Sequence, residues 1–213
     1  MKNTHQEPIL EIQDLSVCFR GGSHVQAVEG VSLTVFPGDR LAIIGETGSG
    51  KSILLLSVLR LLPRGALVTG RALYRGENLF AVSPKRLNEI RGGAISYVPQ
   101  GAGHLRGPLT QWIEGRGLDV TQCLTVLRKL GFSRELFARD MGEYSAGQQK
   151  KVLLAASLCQ RAHLYLWDEP LNYIDLFSRI QLEELILRYR PTMLLVEHDR
   201  AFRNRVGTGC VTL

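Results

Sequence analysis

No apolar run in this sequence reaches the roughly 18–20 residues that a membrane-spanning helix requires. The longest candidates, residues 41–44 and 164–167, read instead as short buried strands. The segment from Met1 to Pro8 is polar and has no apolar core of the kind that marks a secretory signal. The expectation is a cytoplasmic protein, soluble or held peripherally on the cytoplasmic face of a membrane by a partner. Cysteine is scarce. Cys18, Cys123, Cys159 and Cys210 are scattered, with no Cys-x-x-Cys pair. That argues against a zinc site or a disulfide framework and for reduced, partly buried thiols. There is no internal repeat, low-complexity tract or charged tail. The net charge of +6 and the pI near 9.4 come from an excess of Lys and Arg spread evenly over both halves. A nucleotide phosphate, a ribosomal surface, acidic headgroups or plain solubility could each use such an excess. No sequence-specific DNA binding is expected.

What is present is ordinary globular composition: 213 residues, 45% hydrophobic and 22% charged. That supports one sizeable core and at most two small domains. Residues 9–12, 31–35, 41–44 and 68–75 are strand-like, with a turn at 36–39. A helix is expected over 52–62, stopped by Pro63. Ser83-Pro84 reads as an N-cap followed by proline at the first helical position, opening a helix to about Arg91, and residues 94–98 form a buried strand. The middle then turns helical. Asp119 is the expected N-cap before an apolar stripe of Cys123, Val126, Leu127 and Leu130. From Ser145 onward, helix and strand alternate (146–159, 164–167, 176–189, 192–196), which argues for a parallel sheet with helices on its faces.

Gly45-Glu46-Thr47-Gly48-Ser49-Gly50-Lys51-Ser52 fits G-x-x-x-x-G-K-[ST] at every fixed position, between a strand and a helix. Glycines let the backbone wrap around phosphates with its N–H groups inward, and the helix N-terminus adds a positive dipole. Lys51 offers a mobile positive charge to the outer phosphates, and the Ser52 hydroxyl can ligate Mg²⁺. Further on, a buried strand ends in Asp168-Glu169. Such a pair beside the phosphates suits Asp168 to the Mg²⁺ shell and Glu169 to polarising the attacking water.

Tyr144-Ser145-Ala146-Gly147-Gln148 opens the helix just before that strand. The arrangement resembles the ATP-binding cassette (ABC) family, whose signature motif reads close to Leu-Ser-Gly-Gly-Gln; here Tyr replaces Leu and Ala replaces the first Gly. The resemblance implies an α/β P-loop NTPase fold: a mostly parallel sheet with flanking helices, an N-terminal antiparallel β subdomain and a small inserted helical subdomain. It implies one nucleotide-binding domain over residues 8–213, with an ATPase core at 8–103 and 145–213 and the helical subdomain at 104–144. It implies ATP as substrate with Mg²⁺, and a second nucleotide-binding domain, homo- or heteromeric, whose γ-phosphate meets Ser145, Ala146, Gly147 and Gln148. Gln100 stands at the Q-loop, where it senses Mg²⁺ and water. Asp175 stands at the D-loop and His198 at the switch histidine that contacts the γ-phosphate. Phe19 lies where the family places an aromatic on adenine. The catalytic set so implied is Glu169, His198, Gln100 and Lys51; the Mg²⁺ set is Ser52, Gln100 and Asp168.

The two halves resemble different branches. Residues 8–103, through Leu15-Ser-Val17, Ala27-Val-Glu-Gly-Val31 and Tyr97-Val-Pro-Gln-Gly-Ala-Gly103, are similar to the ATPase subunits of oligopeptide and nickel importers. Residues 105–213, through Trp167-Asp-Glu-Pro-Leu-Asn-Tyr-Ile-Asp175, Val196-Glu-His-Asp-Arg-Ala-Phe202 and the close at Val211-Thr-Leu213, are similar to the second cassette of ABC-F proteins. The seam falls near His104-Leu105. The expected client is therefore a membrane permease of importer type, with the ribosome, or no client for a recombinant cassette, as the alternatives.

Overall fold

The computed structural model describes residues 6–20 and 25–213; the expectation for the first residues of the chain falls partly on residues 1–5, outside that range. Strand β1 (Leu10–Phe19) shows why a simple alternation stops short. Its buried residues are Leu10 and Ile12, then Leu15 and Val17. A bulge between Gln13 and Ser16, with Asp14 at φ 47°, inserts the extra residue that returns both pairs to one face. Residues 9–12 are therefore only the start of this strand. β1 pairs antiparallel with β2 (Val25–Val35) on one side and β4 (Ala66–Tyr74) on the other, and β5 (Glu77–Asn78) completes the order β2-β1-β4-β5.

The second sheet is parallel, in the order β6-β7-β8-β3-β9. Its strands are β3 (Arg40–Ile44), β6 (Ile95–Val98), β7 (Leu164–Asp168), β8 (Met193–Val196) and β9 (Gly209–Thr212). Alternation along these strands feeds two cores. Ile43, Leu164, Leu166, Leu194 and Val196 face the antiparallel sheet and helix α1 (Lys51–Val58). Ala42, Tyr165, Trp167, Met193 and Leu195 face the opposite layer. That layer contains α5 (Ala146–Cys159), α6 (Leu176–Tyr189) and α7 (Arg200–Val206), with the helical segment above them. Trp167 is fully buried there, and its indole N–H donates to Ser157 Oγ at 2.9 Å.

The helical segment comprises α3 (Leu109–Glu114), α4 (Val120–Lys129) and two 3₁₀ turns, Arg134–Ala138 and Met141–Glu143. Asp119 caps α4 through Gln122 N at 2.7 Å, and Cys123, Leu127 and Leu130 are buried as the stripe requires; Val126 packs at the edge of the same core. Ser83 caps α2 (Pro84–Glu89), which passes into a π-turn at Ile90–Ala94.

One expected boundary is not reached. α1 stops at Val58, well before Pro63, because Arg60 turns left-handed at φ 51°. The Arg91 guanidinium, reaching over from the π-turn, holds the carbonyls of Leu59 and Arg60. These carbonyls lie just past the helix end, whose own last-turn carbonyls of Leu55, Leu56 and Ser57 accept from Leu59, Leu61 and Arg60. The signal for this stop lies thirty residues away, so proline was the only visible terminator in the local sequence.

The consequence for the site is alignment. The register Ile43↔Val196 and Asp168↔Val196 brings the carboxyl ends of β3, β7 and β8 level. β6 lies alongside β7 in parallel, so its exit segment reaches the same edge. Parallel sheets present their ligand crevices at that edge.

Candidate active site

Four loops leaving these strand ends enclose a cleft of about 250 Å³, lined by Ala27, Thr47, Gly48, Gly50, Lys51, Ser52, Ile53, Gln100, Glu169 and His198. The first is the glycine loop. Gly50, at φ 84°, caps α1, and a Cβ placed there would lie 2.0 Å from the Ala27 carbonyl oxygen. Only glycine fits so close an approach. Lys51 folds back over the loop, donating to the carbonyls of Gly45 at 3.1 Å and Glu46 at 2.6 Å and to Ser49 Oγ at 3.3 Å.

Ser52 Oγ donates to Asp168 Oδ1 at 2.9 Å, joining the start of α1 to the end of β7. Asp168 is only 2% exposed, and burial is the main cause that raises its carboxyl above the usual carboxylate range. The adjacent Glu169 charge acts in the same direction, while Ser52, Lys150 and Lys51 oppose it. A carboxylate and a hydroxyl drawn together in a desolvated corner are hard oxygen donors. That set suits Mg²⁺, which takes few protein ligands and fills the rest with water and phosphate.

Glu169 is the hub. Its backbone turns left-handed at φ 43° while its N–H still donates to the Val196 carbonyl at 2.9 Å. A non-glycine residue held there stores strain that the surroundings must enforce. The turn aims the carboxylate into the cleft. Oε2 accepts from Gln100 Nε2 at 2.9 Å and Asn172 Nδ2 at 2.7 Å, and Oε1 lies 3.4 Å from His198 Nε2. Three segments of sequence, at 100, 169–172 and 198, thus meet on one carboxylate.

His198 is held from behind. Buried Glu197 accepts from the backbone N–H groups of His198 at 2.7 Å and Asp199 at 2.9 Å. Asp199 caps α7 and is clamped by Arg179 through two bonds, at 2.7 and 2.8 Å. Arg179 continues to buried Glu183 at 3.0 Å, which also takes Arg205 at 2.9 Å.

The signature segment lies apart from the cleft-lining set. Ser145 caps α5 in a reciprocal box with Gln148: Ser145 N donates to Gln148 Oε1 at 2.9 Å and Gln148 N to Ser145 Oγ at 3.3 Å. Ala146 and Gly147 form the first turn. A Cβ on Gly147 would stand 2.5 Å from the Tyr173 carbonyl oxygen, so the helix start is wedged against the loop after Glu169. Lys151 on the same helix pairs with Asp175 Oδ2 at 2.6 Å. Asp175 caps α6 through Ser178 N at 2.9 Å.

Of the sequence-derived residues, Thr47, Gly48, Gly50, Lys51, Ser52, Gln100, Glu169 and His198 line the cleft, with Asp168 bonded to Ser52 at its floor. Phe19 does not line it. It ends β1, pairs with Val25 and Ala66, and packs partly against the core of the antiparallel sheet. Sequence reasoning missed Asn172 as a direct partner of Glu169, together with Glu197 and Arg179. The position of Asn172, three residues beyond Glu169 in a Pro-Leu-Asn turn, was the available hint.

With this geometry in place, the sequence pattern of the ABC transporter family matches residues 28–172. The chain belongs to that family. It is 33% identical over 233 residues to a peptidoglycan transport ATP-binding protein, YejF, of Agrobacterium fabrum, covering 97% of this chain and 42% of that protein. It is 30% identical over 212 residues to the oligopeptide transport ATP-binding protein OppD of Mycobacterium tuberculosis, covering 90% of this chain and 35% of the relative. The ABC chain thus spans less than half the length of either relative. With 97% and 90% of this chain covered, both matches run through the residues on either side of position 104. Among solved structures, a dimeric post-hydrolysis state of the ATP-binding cassette MJ0796 bound to ADP and Pi superposes with a TM-score of 0.81. It covers 96% of this chain and 94% of that one at 20% identity, which supports the ABC cassette fold. No helix among the described residues is long and apolar enough to cross a membrane.

Proposed function

We propose that this chain binds Mg·ATP in the cleft, hydrolyses it in a dimer of cassettes, and drives a membrane permease of the peptide-importer class. The observation that carries the reading is the meeting of Gln100, Asn172 and His198 on the Glu169 carboxylate, a few residues from the Ser52–Asp168 contact.

The glycine loop from Gly45 to Ser52 cradles the phosphates, with Glu46, Thr47, Gly48 and Ser49 supplying backbone N–H groups and Lys51 the charge. Phe19, at the end of β1 and outside the cleft lining, would meet an adenine that extends beyond the cleft. Ser52, Asp168 and Gln100 would hold Mg²⁺, whose chemistry here is charge neutralisation on the phosphate oxygens. Glu169 takes the proton of a water attacking the γ-phosphorus in line. The bond from that phosphorus to the bridging oxygen breaks, and ADP leaves with its electron pair. His198, Gln100 and Lys51 stabilise the charge on the transferring group. Ser145, Ala146, Gly147 and Gln148 serve the nucleotide of a second cassette, and Asp175 lies at that interface. In this reading residues 8–103 and 145–213 form the ATPase core and 104–144 the helical subdomain, with the assembly peripheral on the cytoplasmic face.

The test is affinity capture from lysate with Glu169→Gln protein held with Mg·ATP, against Lys51→Ala. ATP-dependent recovery of a polytopic permease is the expected result. Recovery of ribosomal subunits that survive a salt wash would replace the transport reading with a translational one.

A further inference from the structure

Lys150 is fully buried and is not among the residues that line the cleft. A lysine removed from water is rare unless its charge is matched. Here the ammonium's hydrogen bonds all go to backbone carbonyls. Nζ donates to the carbonyls of Pro99 at 2.6 Å, Gln100 at 3.1 Å and Asp168 at 3.3 Å. Its three donors are thus matched by three carbonyls, two from the segment after β6 and one from the end of β7. Burial lowers the Lys150 ammonium to about 8, and the nearby carboxylates of Asp168, Glu169 and Glu197 oppose that shift.

The placement of these carbonyls makes the contact more than a way of satisfying a buried group. Pro99 and Gln100 lead out of β6, and Gln100 sends its side-chain amide to Glu169 at 2.9 Å. Asp168 is the last residue of β7, and its carbonyl belongs to the peptide that joins it to Glu169, the residue held left-handed at φ 43°. Lys150 itself lies in α5, the helix that begins at the Ser145 cap, with Gly147 wedged on Tyr173. One ammonium therefore ties the signature helix to the backbone on both sides of the Gln100–Glu169 hydrogen bond.

We infer that Lys150 is a positioning residue: its ammonium holds the Gln100 and Glu169 backbones in the register that aims the Glu169 carboxylate into the cleft, and makes that aim depend on the seat of the signature helix. Its neighbour Lys151 does a separate job at Asp175, 2.6 Å away, and touches neither loop's carbonyls in this way. The inference rests on the ATPase reading proposed above. It adds a residue that lies outside the cleft lining.

The experiment compares the 213-residue chain with Lys150→Met and Lys150→Gln. Met keeps the apolar stem and donates nothing; Gln keeps two of the three donors without the charge. Four quantities are read: equilibrium ATP affinity, steady-state kcat, melting temperature, and amide hydrogen exchange in the segments 100–103 and 168–172 (Pro170 aside) of nucleotide-free protein. A displacement of about 1 Å at a reacting group costs on the order of a hundredfold in rate. Lys150→Met is expected to lose about that in kcat, to bind ATP within about threefold of the parent, and to exchange faster in both segments. Lys150→Gln is expected to recover at least a tenth of the parental kcat and most of the protection, on the same scale of effect. A parent chain that hydrolyses ATP while Lys150→Met matches its kcat overturns the inference alone. So does a Lys150→Met protein whose ATP affinity, kcat and melting temperature all fall together and are not recovered by Gln, because that is a general packing defect. A parent chain with no ATPase activity overturns the functional reading and the inference with it.

Discussion

Replacing Glu169 by Gln removes one negative charge and almost no volume, so it separates the carboxylate's chemistry from its place in the loop. In the parent, Oε2 accepts from Gln100 at 2.9 Å and from Asn172 at 2.7 Å, and Oε1 faces His198 Nε2 at 3.4 Å. A glutamine can turn its amide oxygen toward the two amide donors and keep both contacts as neutral hydrogen bonds. Hydrogen bonds to a charged group are worth about 1.5–3 kcal/mol and neutral ones about 0.5–1.5, so the two contacts weaken by roughly 2 kcal/mol together. Removing a largely buried charge offsets part of that loss, and the net change in folding stability is expected to stay within about 1 kcal/mol. The effect on reaction is of another size. An amide cannot accept the proton of an attacking water, and a positioned general base contributes about 10²–10⁴-fold. At about 1.36 kcal/mol per tenfold, that is roughly 3–5 kcal/mol of barrier. The assay pairs phosphate release, in steady state and in a single turnover, with equilibrium ATP binding and a melting curve. The expected outcome is unchanged binding and melting, with kcat at least about a hundredfold lower. A variant that binds ATP and turns over within about threefold of the parent would remove Glu169 from the base role. One that loses binding and folding together would show instead that the carboxylate is mainly a structural anchor for Gln100, Asn172 and His198.

Other perturbations test separate parts of the structure. Lys51→Ala removes the charge at the loop and should weaken ATP binding by about ten- to a hundredfold, corresponding to one charged hydrogen bond, with the far-ultraviolet spectrum unchanged. Gly147→Ala gains helix propensity of about 1 kcal/mol, yet its Cβ would sit 2.5 Å from the Tyr173 carbonyl oxygen. The clash should win, lowering the melting temperature and slowing hydrolysis. Ser157→Ala strands the buried indole N–H of Trp167, now bonded at 2.9 Å, and should cost about 1–3 kcal/mol in denaturant unfolding. Adding Trp167→Phe in that background should cost less than it does in the parent. For Asp175, burial acts to raise the carboxyl, but the Lys151 ammonium and the Ser178 donors outweigh it and hold it below its ordinary 3.8. Its contribution to stability is therefore present above pH 3.8 and lost as the pH falls below it. Asp175→Asn should flatten that acid limb in denaturation midpoints measured from pH 7 downward.

How much of this was legible in the sequence depended on whether the determining contacts were local. The glycine loop, the Asp168-Glu169 pair and the bounds of α5 and α6 were readable because each rests on neighbours in sequence. A close backbone approach needs glycine; a buried strand shows as a run of apolar residues; a helix start shows as Ser145 with Gln148 three residues on, or as Asp175 before Leu176. Where the determinant is remote, the sequence was silent or misleading. α1 ends at Val58, where the chain turns left-handed at Arg60 and Arg91 holds the carbonyls that follow, and no local residue announces that. β9 is a strand through its pairing with β3, since Gly209–Thr212 has neither the length nor the apolar content to declare itself. β1 looked like four residues because Asp14 breaks the alternation that the bulge then restores.

The same division runs through the site. Residues that would meet the nucleotide or the water occupy fixed positions in short motifs, because their chemistry admits few alternatives. Those that hold them in place do not: Lys150 looks in sequence like a solvated helix lysine, and Arg179 and Glu183 look like an ordinary i, i+4 pair on a helix face. Their roles come from what the fold sets opposite them, two loop backbones for Lys150 and Asp199 with Arg205 for the pair. On sequence grounds a substitution at any of them would pass as a change on a solvated helix face. In the folded chain, Lys150→Met withdraws three donors from the backbone around Glu169, and Arg179→Lys replaces a two-bonded clamp on the cap that follows His198 with a single point of attachment. The second change should leave Glu169 in place and loosen His198. It should therefore lower kcat by a smaller factor than Lys150→Met, and if it proves the more damaging of the two, the order of support around the carboxylate is not the one described here.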